Sequence, residues 1–185
     1  MAARQRPQSR NSSLRPWRFV TLFAVFLLIQ FALLLAPFMR PGVDRFSQWL
    51  AHLSGSIIQV CGGSVTMQAA VLRSPVTGFA IEMKDGCNGV NVMILLWSGL
   101  LAFPASWIWR AIGLLAGTVL IQSVNLLRFI SLYYLGQYSM RWFNFAHEYL
   151  WESLIMLDAM VVFGLWVRQG RSWMAAPNDR EQVSH

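Results

Sequence analysis

The run "WRFVTLFAVFLLIQFALLLAPFMRP", from Trp17 to Pro41, decides what class of fold this chain can adopt. It supplies about twenty apolar residues, enough to cross a hydrocarbon core roughly 30 Å thick. A cleaved signal peptide has a shorter apolar core with a small-x-small site behind it. We therefore read residues 17–39 as an uncleaved signal-anchor helix. Three further apolar runs follow at 88–109, 111–135 and 145–167. The expected fold is an all-α polytopic membrane protein with four transmembrane helices, the second and third joined in a tight hairpin at Arg110.

Composition and charge agree. Only 12% of residues are charged, against about 25% in an average soluble protein. The net charge of +7 could suggest nucleic acid. Its placement argues against that partner, because Arg4, Arg6, Arg10, Arg15 and Arg18 precede or open the first run and Arg168, Arg171 and Arg180 follow the last. This is the positive-inside pattern. With the basic N-terminus (1–16, read as disordered) in the cytoplasm, four spans return the tail (168–185) to the cytoplasm. The outer side then receives residues 40–87 and the loop 136–144. Residues 17–167 form one membrane-embedded domain.

The outer segment has its own pattern. Val43, Phe46, Leu50, Leu53, Ile57 and Val60 recur at steps of three and four, predicting an amphipathic helix on the membrane surface or against other helices. Val65, Met67, Ala69 and Val71 alternate, and so do Phe79, Ile81 and Met83 after the turn signal "RSPVTG". These alternations predict a small β-hairpin leading into Cys87.

Polar residues in or beside the spans carry the chemistry. An ionisable side chain within a span costs about 2.5–3.5 kcal/mol on insertion scales, and marks a function or a paired partner. Arg128 lies eight residues before Gly136, or about 12 Å below the outer helix end at 1.5 Å per residue. Cys87 and His147 open the second and fourth spans on the same side. A thiolate is a nucleophile that a neighbouring histidine can activate, and that histidine can then protonate a leaving amine. Arginine stays protonated, so its role in such a site is to stabilise an oxyanion. Gly86 and Gly89 leave room for a substrate backbone, and Asn88 caps the span.

Other assignments fit the same residues. Cys87 could be an inert buried thiol, or could pair with Cys61 in a disulfide of a non-enzymatic assembly subunit. Arg128 could pair with Glu152, Asp158 with Asn125, and His147 could be an interfacial residue beside Tyr149 and Trp151. His52, Cys61 and Cys87 lack metal-ligand spacing, so neither a metal nor another cofactor is expected.

"DGCNGV", "NLLRF" and "AHEYLW", each at or in a span and in the order Cys, Arg, His, resemble the motifs of the exosortase/archaeosortase family over roughly residues 40–167. In length the chain is similar to the compact members, such as the exosortase H type. The resemblance implies a membrane cysteine protease/transpeptidase of the bacterial inner membrane with its site facing outwards. It implies Cys87 as nucleophile, His147 as general acid/base, Arg128 as stabiliser of the intermediate, and Asn88 and Asn125 in support. The implied partners are exported proteins ending in a short motif, a transmembrane helix and a basic tail, together with membrane lipid.

Overall fold

A computed structural model describes residues 16–175. The expected N-terminal basic segment, but for Pro16, and the end of the basic tail lie outside them. The chain forms α1 (Pro16–Leu35), α2 (Arg40–Val60), β1 (Thr66–Gln68), β2 (Val71–Arg73), β3 (Ala80–Glu82), α3 (Val90–Ala102), α4 (Trp107–Tyr138), α5 (Met140–Phe145), a π-helical turn over Ala146–Leu150, and α6 (Trp151–Ala175). Among the described residues, three helical stretches are long and apolar enough to cross a membrane: Trp17–Leu35, Trp107–Tyr138 and Met140–Gly170.

The second expected span is the exception. Of residues 88–109, only the 13 of α3 form its helix, about 20 Å at 1.5 Å per residue and short of a full crossing. Pro104 explains the stop: it lacks an N–H and pushes Phe103 into extended backbone (φ −77°, ψ 135°). Ser106 then caps α4 by accepting a hydrogen bond from the Trp109 N–H at 3.4 Å. The link between spans is therefore 103–106 rather than Arg110, which lies inside α4. The first helix ends at Leu35 instead of 39, and the last runs to Ala175, past the expected limit of 167.

α3, α4 and α6 pack on one another and α1 lies along α3. On α4 the buried face is Gly113, Gly117, Ile121, Asn125, Arg128, Phe129 and Leu132, close to the step of four that a helix face requires. The opposite faces of these helices remain apolar and exposed, as at Leu115, Val119 and Leu127 on α4 and Met156, Met160 and Leu165 on α6. Bare apolar surface of this kind suits lipid. Polar pairs tie the layer internally: Gln30 donates to Ser98 Oγ at 2.9 Å and Trp97 Nε1 to Thr118 Oγ1 at 3.0 Å.

α2 departs from the expected stripe. Its buried residues are Ser47, Leu50, Ala51, Ser54, Gly55 and Ile58, centred roughly 100° round the helix from the apolar stripe. Trp49, Ile57 and Val60 of the exposed side point away from the core. Small residues let backbones approach, which is how helices associate where the surroundings are already apolar. A Cβ at Gly55 would overlap the Met67 side chain. The serine hydroxyls are satisfied locally, Ser47 by Val43 O at 3.0 Å and Ser54 by Leu50 O at 2.8 Å.

The expected hairpin is a three-stranded antiparallel sheet, order β1-β2-β3. The residues read as one alternating strand, 65–71, turn at Ala69, which adopts a left-handed φ of 51° without being glycine. The sheet sits over the end of α4, where Phe79 packs against Gly136 so closely that any Cβ there would overlap the ring.

Gly136→Val should lower stability in detergent by about 1–3 kcal/mol, the usual range for overpacking. Phe79→Ala should be less harmful in that background than alone, a coupling measurable by a thermal double-mutant cycle.

Candidate active site

α3 and α6 begin, and α4 ends, at one end of the helix layer, which brings three expected residues into a single cleft. Cys87 Sγ lies 3.5 Å from His147 Nε2. Arg128 Nη2 lies 4.0 Å from the same sulfur and 3.8 Å from Glu152 Oε2. The cleft encloses about 280 Å³ between β3 and the aromatic wall of Phe79 and Phe143, with Cys87, Arg128 and His147 in its lining.

Each side chain is placed by an identifiable local device. Cys87 sits in a turn whose N–H bonds to Lys84 O at 2.9 Å, and Gly86 (φ 88°) and Gly89 (φ 75°) supply the left-handed backbone on either side. Gly89 is also needed for space, since a Cβ would lie 3.0 Å from Gln122 Nε2. Asn88, expected as the cap of α3, acts one residue earlier than the N-cap Gly89: its Oδ1 accepts the Val90 N–H at 3.1 Å. Its Nδ2 donates to Ser47 Oγ at 3.1 Å, and its carbonyl accepts from Gln122 Nε2 at 3.2 Å. His147 stands in the π turn and stacks on Phe143, centroids 5.7 Å apart and planes at 18°. Such one-turn widenings re-aim a side chain without ending the helix.

Arg128 is 3% exposed and Glu152 is largely exposed. A buried guanidinium needs a compensating charge, and Glu152 provides one at the cleft rim. The pairing read from sequence is present, and the same Nη2 also reaches the thiol, so the two contacts coexist. Burial pushes the Cys87 thiol above its ordinary value; the Arg128 guanidinium opposes this, Glu152 reinforces it, and Lys84 works against it.

Other pairings are absent. Cys61 and Cys87 are both free, Cys61 exposed, so no disulfide joins them. Asn125 is fully buried and donates to Gln122 Oε1 at 3.4 Å. It does not meet Asp158: Asn125 Oδ1 and Asp158 Oδ2 are each buried without a hydrogen-bond partner. Asn125 therefore reaches the site through its bond to Gln122 and by packing beside Gly89. Gln122 itself was missed, although Gln122, Asn125 and Arg128 follow at steps of three on an apolar span, a visible polar stripe. Ser47 and the β3 edge carried no comparable signal.

A family model described as transmembrane exosortase (Exosortase_EpsH) matches residues 12–165, well over half of the chain. No curated protein and no solved structure matches it.

In a Cys61→Ser background, alkylation of Cys87 by iodoacetamide should rise with pH about a midpoint above that of a free thiol, because burial raises its pKa. Arg128→Gln removes the largest opposing charge, so its midpoint should lie higher still. A midpoint at or below the parent's would show that Arg128 does not act on the sulfur.

Proposed function

The chain belongs to the transmembrane exosortase family, and on that premise we propose that it is a cysteine peptidase/transpeptidase that cleaves the C-terminal sorting signals of exported proteins at the outer membrane-water interface. The observation that carries this reading is the convergence of Cys87, His147 and Arg128 on one cleft. The arginines that precede or open the first helix, and those in the C-terminal turns of the last, support an inner-membrane location with the cleft outside.

The distances support the following chemistry. His147 Nε2 takes the thiol proton as Sγ attacks the scissile carbonyl. The carbonyl oxygen becomes an oxyanion beside Arg128, whose fixed positive charge favours it most in a water-poor cleft. His147 returns the proton to the leaving amine, the C–N bond breaks, and the fragment bearing the substrate's helix and basic tail departs. The thioester left on Cys87 is resolved by an amine nucleophile or by water, which restores the thiol. The raised pKa of the sulfur fits proton transfer concerted with attack.

Co-expression of the enzyme with an exported reporter carrying a sorting signal tests this. Cys87→Ala and His147→Ala should abolish processing at unchanged enzyme abundance, and Arg128→Ala should slow it by about 10²–10³, as loss of an oxyanion partner does. Cys61→Ala should process normally. Continued processing by Cys87→Ala overturns the proposal, and a bare carboxylate at the reporter's new C-terminus, read by mass, assigns hydrolysis in place of transfer.

A further inference from the structure

β3 is an edge strand with an unusual position. Ser74 N–H bonds to Phe79 O at 2.8 Å and Met83 N–H to Ala70 O at 2.9 Å, in the register Leu72↔Ile81. In an antiparallel ladder only alternate residues bond to a given neighbour. Phe79, Ile81 and Met83 therefore turn their N–H and C=O groups to β2, and Ala80 and Glu82 turn theirs away. Among the described residues nothing accepts from or donates to the main chain of Ala80 or Glu82. Both line the cleft that holds Cys87, Arg128 and His147.

We infer that β3 is the docking strand for the substrate: an extended peptide segment adds to its free edge, parallel to it, and carries the scissile carbonyl to Cys87. This rests on the peptidase reading above. An unpaired edge recognises main chain, with neighbouring pockets taking alternate side chains. Two outward residues offer up to four hydrogen bonds, and the lining of the same cleft includes the apolar Phe79, Leu132, Met140 and Phe143. The direction follows from connectivity. The enzyme's own chain runs from β3 through the Cys87 turn into α3. A substrate reads segment, scissile bond, membrane helix in the same order, so only a parallel segment lets both helices leave the site on the same side.

Proline tests this, because it deletes an N–H donor and is tolerated at an edge. At Ala80 or Glu82 it breaks no bond to β2. The reporter is an exported domain followed by a randomised segment of about six residues, a leucine-rich span and an arginine tail, selected for processing by the parent enzyme. Ala80→Pro and Glu82→Pro should each lower processing of the selected reporter about tenfold, roughly one hydrogen bond's worth, with Cys87 alkylation reporting that the site persists. Should either variant lose alkylation, the substrate arm decides: proline scanned through the selected segment should be tolerated only at every second position. Parental rates in both enzyme variants, or proline tolerance with no two-residue alternation, overturns the docking strand alone. Failure of the parent to process any reporter overturns the peptidase reading and the strand with it.

Discussion

The arrangement depends on one buried amide. Asn88 is 1% exposed and makes three hydrogen bonds, to Ser47 on α2, to the first turn of α3 and, through its carbonyl, to Gln122 on α4. Each is worth about 0.5–1.5 kcal/mol net, yet leaving one group unpaired costs about 1–3 kcal/mol. In low-dielectric surroundings this penalty grows, so the three helices have little freedom to shift independently at that point. Cys87 is the adjacent residue. Its position is thus fixed by its neighbour's amide more than by any contact of its own sulfur.

The same low dielectric sets a tension within the cleft. Burial disfavours a thiolate, and the nearby guanidinium favours one. Glu152 at the rim allows Arg128 to be buried at all, but it also draws on the same Nη2 that approaches the sulfur. An arriving carbonyl that becomes an oxyanion would enter this balance as a second anion and compete with Glu152 for the guanidinium. A carboxylate that remains exposed can give way to water more readily than a buried one.

Much of this was legible in the sequence, and the failures have physical causes. Hydropathy located the long apolar helices, since twenty apolar residues in a row have few other uses, but 136–144, read as a loop, is the end of α4 and most of the short helix α5. Arg128 stood out because a charge within such a run demands a function or a partner, and Glu152 was one candidate for the partner. Boundaries were lost where a single residue overrode composition: Pro104 split an apolar run that looked continuous. The stripe of α2 misled for a deeper reason. In water an apolar stripe faces the core, but beside lipid part of it can face outwards, leaving Ser47, Ala51, Ser54 and Gly55 to make the contact alongside Leu50 and Ile58. Ala69 turned a strand with no glycine or asparagine to announce it. Gln122 was visible as spacing, but its bond to Asn88 depends on a loop conformation that no periodicity encodes.

The π turn at Ala146–Leu150 shifts the phase of the helix that contains it. One extra residue is accommodated there, so α5 and α6 are wound out of step with each other, and the histidine sits at the seam. Loss of one residue after His147 within the seam would leave two sound helices with Cys87, Arg128 and His147 all present, yet turn the imidazole relative to α6 by about a quarter-turn. The length of this short stretch therefore sets the aim of His147 as much as the helices on either side do.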